Sequence, residues 1–178
     1  WKKELPADSR QEPIVTAEGV VVACEDGTLV AFRPDGREAW RIPGVPNPGP
    51  MIESEGILYV PSGDGVAAVE VAKGSELWRH AVPGGVNGRP ARLGDLLVVS
   101  GRNSNLFVGG ARSGNRARAP IGLPGAGVAG GVVAHGTLVL VGCDDQTVAT
   151  FDPSSGALRW SRKGKGKIRS TGVVADGT

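Results

Sequence analysis

The chain has 178 residues, a formal net charge of +2 and only 4% aromatic residues. No apolar run is long enough to cross a membrane as a helix, and residues 1–4 lack the apolar core of a secretory leader. The 29 glycines and 13 prolines recur at regular turn positions. They therefore indicate short strands separated by turns, and they do not indicate disorder.

A short sequence motif with a fixed spacing recurs along the chain. Glycine stands four residues before tryptophan in Gly36–Trp40, Gly74–Trp78 and Gly156–Trp160. A further copy reads Gly114–Arg118, and Trp1 stands where an earlier copy would end. A period of about 40 residues is typical of propeller blades, each of which is a sheet of four antiparallel strands.

The predicted elements follow one order in every unit, beginning with two short strands. The second strand is an apolar run, at 20–22, 57–59, 96–99 and 137–141. A two-residue turn follows, at Asp26-Gly27, Asp64-Gly65, Ser104-Asn105 and Asp145-Gln146. Such residues tolerate the positive φ angles that tight hairpins require. A third strand comes next, at 28–32, 66–69, 106–109 and 147–151, and the fourth strand carries the tryptophan position.

The sequence therefore predicts an all-β fold, a β-propeller segment of about four four-stranded antiparallel blades with flanking strands. The units cover approximately 11–43, 48–82, 88–120 and 128–162, and residues 1–10 and 168–178 are partial blades of a single domain, 1–178. We expect residues 41–49 to connect the first two sheets. Since both ends fall inside a repeat, we also expect a longer propeller. Each tryptophan should pack on the neighbouring sheet, because one sheet cannot bury both of its faces alone.

Three sequence segments resemble the repeat of a known superfamily. They run from Asp26-Gly-Thr-Leu-Val-Ala-Phe to Trp40, from Asp64-Gly to Trp78, and from Ala149-Thr-Phe-Asp-Pro-Ser-Ser-Gly to Trp160. The pattern resembles the tryptophan-docking repeat of quinoprotein-like, PQQ-type β-propellers, within them the BamB-like scaffold branch, over nearly the whole chain. The resemblance implies an eight-bladed extracytoplasmic ring, in the periplasm or at the cell surface, of which this chain is a segment.

The resemblance also implies which residues hold the repeat together. These structural anchors are Trp1, Trp40, Trp78, Trp160, Gly36, Gly74, Gly114 and Gly156. Arg118 departs from the pattern, so we expect one interface between sheets to be packed differently and this arginine to be partly solvated.

Proteins similar to this one fall into three functional groups. One group contains PQQ-dependent alcohol and sugar dehydrogenases, which use an adjacent cysteine pair, a Ca²⁺ ion and an aspartate base. The second contains protein-binding scaffolds of the outer-membrane assembly machinery, and the third contains extracellular sensor domains of bacterial kinases. No adjacent cysteine pair occurs here. We therefore predict a non-enzymatic protein-binding scaffold, with a membrane-associated assembly factor as the leading version. A dehydrogenase fragment, which would bind PQQ with calcium, and a sensor domain stay open as alternatives.

No catalytic, cofactor or metal site is predicted from the reactive side chains. Cys24 and Cys143 occupy the same slot of the first and fourth units, too far apart for a disulfide, so we expect two free buried thiols. Together with His80 and His135 they do not show zinc spacing. We place His135 in a hairpin turn, and we interpret the acidic turns as turn chemistry, in preference to Ca²⁺ ligands.

Charge is distributed unevenly along the chain. Residues 1–80 carry a net charge of −5 and residues 81–178 a net charge of +7. The candidate partner contact is a basic run comprising Arg162, Lys163, Lys165, Lys167 and Arg169, and we interpret its stretch 163–167 as a flexible loop between sheets. Such a loop is either plainly solvated or contacts an acidic protein surface or anionic lipid. Nucleic acid is not predicted as a partner, because no interleaved aromatic platform and no groove-entering helix is present.

Overall fold

The computed structural model describes residues 1–86, 88–125, 127–128, 130–166 and 168, and it confirms the predicted all-β fold. Four antiparallel sheets of four strands each follow one another along the chain. Sheet 1 contains β1 to β4, at Ile14–Thr16, Gly19–Ala23, Leu29–Phe32 and Glu38–Ile42. Sheet 2 contains β5 to β8, at Ile52–Ser54, Ile57–Pro61, Gly65–Glu70 and Ser75–Ala81. Sheet 3 contains β9 to β12, at Ala91–Leu93, Leu96–Ser100, Asn105–Gly110 and Ile121–Gly122. Sheet 4 contains β13 to β16, at Val132–His135, Leu138–Gly142, Thr147–Phe151 and Leu158–Lys163.

The strands of each sheet lie side by side in chain order. This topology places the β1–β2 and β3–β4 turns, with their counterparts, at one end of every sheet, which we call the hairpin end. The β2–β3 turn, its counterparts and the connections between sheets lie at the opposite end, which we call the connection end. Among the described residues, no helix long and apolar enough for a membrane span is found.

The sheets pack face to face, and apolar side chains from consecutive sheets meet between them. Val21 and Leu29 of sheet 1 share a core with Leu58 and Val60 of sheet 2. The opposite face of sheet 2 packs on sheet 3, and the far face of sheet 3 packs on sheet 4. Burial on both faces explains why β6 is buried at every position, and why the central strands are continuous apolar runs without alternation.

The remaining face of sheet 1 is covered by the N-terminal segment. Ala7 packs against a small core that contains Val22, Val30 and Phe32. The indole of Trp1 lies 5.9 Å from the ring of Phe32 between centroids. The segment before β1 therefore completes the apolar core of the first sheet.

Several sequence expectations need correction at strand ends. The connection between sheets 1 and 2 begins after Ile42, because Arg41 and Ile42 continue the ladder by pairing with Val30 and Leu29. It covers 43–51, whereas we expected 41–49. His135 is the last residue of β13, where it pairs with Leu138, and it is not a turn residue. It is exposed.

The predicted turns have the expected positive φ angle in three of the four units. Gly27, Ser104 and Gln146 have φ angles of 84°, 59° and 76°. Gly65 differs, because it already belongs to β7 and pairs with Ala81. A Cβ atom there would collide with the carbonyl oxygen of His80, so Gly65 serves close backbone approach and not turn geometry.

Candidate functional site

Trp40 and Trp78 each lie on the hairpin-end turn of the next sheet. The ring of Trp40 covers Gly74, and the ring of Trp78 covers Gly114 in the next sheet. Their indole nitrogens donate to the carbonyl oxygens of Val71 at 2.7 Å and Ala111 at 3.0 Å. The repeated glycine and tryptophan therefore form one contact between consecutive sheets, joined by a hydrogen bond.

The same contact is made at the start of the chain, whereas the last tryptophan covers no glycine among the described residues. The Trp1 ring covers Gly36, and its indole nitrogen donates to Pro34 O at 2.8 Å. The side chain of Trp160 is exposed, since the residue is 44% exposed, and its indole nitrogen makes no hydrogen bond to the part of the chain that the structure describes. It belongs to β16, the outer strand of sheet 4.

A β-bulge precedes each tryptophan of the outer strands. The ladders of β3–β4, β7–β8 and β15–β16 shift register by one residue immediately before Trp40, Trp78 and Trp160. A bulge bends its strand and turns the following side chain away from the regular alternation. We infer that this local irregularity directs the indole across to the neighbouring sheet.

Arg118 occupies the tryptophan slot between sheets 3 and 4. Its guanidinium covers Gly156, as the indoles cover the other glycines, and Nη1 donates to Ser154 O at 3.0 Å. Arginine has a planar head group with several donors, so it can reproduce both the flat cover and the hydrogen bond of an indole. As expected, this interface is packed differently, because a guanidinium replaces the indole. The contact nevertheless lies at the same place in the fold as the tryptophan contacts.

Sheet 3 has an irregular outer strand. In sheets 1, 2 and 4 the residue two positions after the tryptophan pairs with the third strand, as Ile42 does with Leu29. In sheet 3 the corresponding residue, Ile121, comes three positions after Arg118 and pairs with Leu106. The outer strand of sheet 3 therefore has one additional residue at Ala119 and Pro120, and proline has no N–H for a ladder. Consequently β12 has only two residues.

The predicted basic contact lies on β16 and directly after it. Arg162 and Lys163 are exposed strand residues that pair with Val148 and Thr147. Lys165 is exposed beyond the strand. The predicted loop at 163–167 was therefore wrong at Lys163, because the ladder continues through this residue and Gly164 N donates to Gln146 O at 2.9 Å. Lys167 and Arg169 lie outside the described residues.

The outer strands differ in how their charges are balanced. On β4 and β8 each arginine is paired three residues back, Arg41 with Glu38 and Arg79 with Glu76, at 2.7 Å in both cases. Sheet 4 has Leu158 where those glutamates stand, since all three pair with the third strand two residues before the tryptophan. Within the described residues, Arg162 makes no ion pair, and Lys163 approaches Asp145 only at 3.9 Å. The edge of sheet 4 is therefore cationic, unlike the edges of sheets 1 and 2.

An ion-pair network that the sequence did not reveal joins sheets 2 and 3 at the hairpin end. Glu55 Oε2 accepts hydrogen bonds from Arg92 Nη2 at 2.8 Å and Arg112 Nη2 at 2.7 Å. Arg92 also donates to Ser54 Oγ at 2.9 Å, and its side chain is only 8% exposed. The hydrogen bond from Arg92 lowers the pKa of Glu55, with a smaller contribution from Arg112. These partners are distant in sequence, and no local spacing pointed to them.

The lowered pKa of Glu55 predicts a pH-dependent contribution to stability. The unfolded chain binds a proton at Glu55 more readily than the folded chain, so the stabilisation is present above the unfolded pKa. The ordinary pKa of glutamate is about 4.3. The stabilisation is lost below this pH, as the pH falls through the lower pKa of Glu55 in the folded chain. In urea titrations, Glu55→Gln should therefore cost stability at neutral pH and progressively less at acidic pH. Glu18→Gln, at an exposed glutamate without an ion pair in the described structure, is the control. A pH-independent cost would contradict the assignment.

The two cysteines are buried free thiols in the described structure. Burial is the main cause that raises the pKa of both Cys24 and Cys143. A neutral, buried thiol is a poor nucleophile, so the geometry offers no reactive cysteine. Cys24 lies at the wall of an open cleft of about 490 Å³ at the connection end, near Ser62 and Arg102.

The described residues do not fit the ligand set that a PQQ and calcium site would need. The two thiols are not adjacent, and no group of three or more His, Cys, Asp or Glu side chains in the described ranges is arranged to hold a metal ion. The turn aspartates are engaged locally: Asp26 accepts from Thr28 N at 2.9 Å and Asp145 from Thr147 N at 3.1 Å. These contacts support the turn interpretation of the acidic pairs.

Comparison with known proteins bears on the family and the fold. A family model described as outer membrane protein assembly factor BamB matches residues 33–162, more than half of the chain. No curated protein sequence matches the chain.

Solved structures share the arrangement of sheets at low sequence identity. BamB from Moraxella catarrhalis superposes with a TM-score of 0.66 at 16% identity, over 97% of this chain and 69% of that one. The computationally designed protein Ika8 gives 0.78 at 16% identity, over 92% of this chain and 52% of its own. A europium-containing methanol dehydrogenase gives 0.73 at 17% identity, over 92% of this chain and 43% of its own. The chain thus spans about half the length of the last two, and the likeness shows the propeller fold alone.

Proposed function

This chain belongs to the PQQ-type repeat family described as outer membrane protein assembly factor BamB, and on that premise we propose that it is a non-enzymatic scaffold that binds another protein. The setting we propose is extracytoplasmic, in a membrane-associated assembly. The cationic edge of sheet 4 is the observation that carries the proposal. A rigid stack of sheets suits this role, since it holds its edges and turns in fixed positions for a partner.

The proposed partner presents an acidic protein surface to that edge. Arg162 and Lys163 project from a strand that is held on one side by the β15 ladder, and Lys165 follows directly. Cations fixed by a strand keep their spacing better than cations on a loop, so they can match a set of carboxylates. Exposed charges of this kind act mainly by steering association, and the rate of association is therefore the quantity to measure.

Reversal of the charge on the edge tests the proposal. We expect Lys163→Glu combined with Lys165→Glu to slow association with the native partner and to change dissociation much less. Binding of the unmodified protein should weaken as salt rises, because exposed charges are screened over about 8–10 Å at physiological ionic strength. The partner would first be captured from the cell envelope, and its binding would then be measured by surface plasmon resonance.

The matched control reverses two exposed lysines elsewhere. Lys2 and Lys3 are exposed and make no ion pair within the described ranges. Lys2→Glu combined with Lys3→Glu changes the net charge equally and should leave association nearly unaltered. Equal slowing by both pairs of substitutions would reduce the effect to net charge and would contradict a docking edge.

The proposal includes no cofactor. We expect no uptake of PQQ, with or without calcium, and no reduction of a dye in the presence of alcohols or sugars. An absorbance titration with PQQ checks this expectation. Stoichiometric uptake accompanied by dye reduction would favour the dehydrogenase alternative.

A further inference from the structure

A groove lies between sheets 3 and 4, next to the short outer strand of sheet 3. It measures about 490 Å³. The outer strands β4, β8 and β16 have five to seven residues, whereas β12 has two. Because of the additional residue and Pro120, the chain between Arg118 and Ile121 does not continue the ladder that the other outer strands form at this position. The groove is therefore a consequence of the irregular strand.

Apolar side chains line most of this groove. Phe151 lies there at 2% exposure and Ile121 at 7%, while Leu158 on β16 is 48% exposed. Leu123 and two prolines complete the apolar lining. A half-exposed leucine beside buried apolar side chains can gain substantial burial when a ligand covers it. The volume suits a few side chains, and not the face of a whole domain.

One arginine lines the groove, and three further arginines lie on or shortly before the outer strands β12 and β16 that flank it. Arg118 lines it, and among the described residues its side chain makes one hydrogen bond, to the carbonyl oxygen of Ser154. Arg116 and Arg162 are exposed and make no ion pair among the described residues. Arg159 is held by Asp152 at 2.7 Å while its side chain stays 52% exposed.

The third unit as a whole has an excess of positive charge. Residues 88–120 contain a single acidic residue, Asp95, and six arginines, which are Arg89, Arg92, Arg102, Arg112, Arg116 and Arg118. Two of these arginines share Glu55, and Arg89 pairs with Glu12 of the first unit at 3.3 Å. The one acidic residue of the third unit, Asp95, lies in the turn between the inner strands β9 and β10 and does not line the groove, and Asp152 of sheet 4 is already paired with Arg159.

We propose that this groove binds a short extended segment of a protein partner in which acidic residues alternate with large apolar residues. The apolar side chains would cover Leu158 and Phe151, and the carboxylates would meet Arg118 and its cationic neighbours. The inference rests on the proposed protein-binding function and adds the chemistry of the bound segment. Charge complementarity selects this occupant over a neutral or basic segment.

The test uses a fluorescein-labelled peptide of alternating glutamate and leucine, titrated with the protein by fluorescence anisotropy. We expect saturable binding, and we expect Leu158→Glu to weaken it by about tenfold or more, the loss that follows when a buried leucine contact is replaced by a repulsive charge. Leu158→Ala, which adds no charge, should weaken binding in the same direction by less. Circular dichroism and a urea titration would verify that both variants are folded.

The matched control is Leu77→Glu. Leu77 is 47% exposed on β8, the outer strand of sheet 2, and it does not line this groove. Its substitution should leave peptide affinity nearly unchanged. A second control peptide, in which lysine replaces glutamate, should not bind. Equal losses from the Leu77 and Leu158 substitutions, or equal binding of the lysine peptide, would overturn the proposal.

Two other occupants of the groove, a lipid surface and a second copy of the chain, would give different experimental results. If sedimentation with phosphatidylglycerol vesicles depends on Leu158 while the peptide does not bind, the occupant is a lipid surface and the proposal is wrong. If a concentration-dependent dimer in sedimentation velocity is abolished by Leu158→Glu, the occupant is a second copy, and the proposal is again wrong. If the peptide fails to bind but partner association still depends on Lys163 and Lys165, the groove fails while the scaffold function stands.

Discussion

Replacing Trp40 by alanine should lower the free energy of unfolding by about 3–5 kcal/mol, the range for deletion of a large aromatic from a packed site. The substitution removes the cover of Gly74 and leaves the carbonyl of Val71 without its indole donor. Both losses fall on the contact between sheets 1 and 2, and neither sheet can bury that face by itself. Trp78→Ala should cost a similar amount between sheets 2 and 3. Urea titration followed by far-UV circular dichroism measures both.

Arg118→Ala is the internal comparison for this prediction. Arg118 occupies the same slot and is only partly buried, so its removal deletes less apolar contact. We expect a clearly smaller loss of stability than for either tryptophan. Equal shifts of the urea midpoint for all three variants would show that the slot does not anchor one sheet to the next.

Gly74→Ala should also be strongly destabilising, for a reason that a control can isolate. Gly74 has a φ angle of 69°, and a Cβ atom would lie 2.6 Å from ring carbons of Trp40. The left-handed backbone costs a non-glycine residue roughly 1–2 kcal/mol. The clash adds about 1–3 kcal/mol, because a packed indole cannot move without losing its hydrogen bond.

Gly56→Ala separates these two causes. Gly56 has a φ angle of 75° in the β5–β6 turn, and a Cβ atom there would have open space around it, with no contact within 4 Å. It should therefore show only the backbone cost. In the background of Trp40→Ala, the cost of Gly74→Ala should fall toward that of Gly56→Ala. An unchanged cost in the double variant would mean that the glycine does not serve the indole.

The repeat made the sheets predictable because it combines local signals with a period. Apolar runs bounded by Asp-Gly turns indicate strands, and regular spacing indicates that each sheet packs on the next. The bulges before the tryptophans were not predictable, since they become visible only through the pairing of β4, β8 and β16. The extra residue after Arg118 was hidden for the same reason.

The basic contact shows the limit of composition as a guide. Glycines at 164 and 166 suggested a loop, yet the backbone of Lys163 pairs with Thr147 and extends the strand. The Glu55 network was missed because its arginines lie 37 and 57 residues away along the chain. Charge asymmetry was readable from the sequence, but the lack of carboxylate partners at the edge of sheet 4 needed the fold.

Hydrogen–deuterium exchange of the protein, measured with and without its captured partner, tests the scaffold function most directly. Binding should protect the amides of β16 and of the short β12, because the proposed docking edge and groove lie there. Amides of the cleft near Cys24 at the connection end should exchange at unchanged rates. Protection confined to that cleft, with β16 and β12 unaffected, would contradict a scaffold that binds its partner through the cationic edge of the fourth sheet.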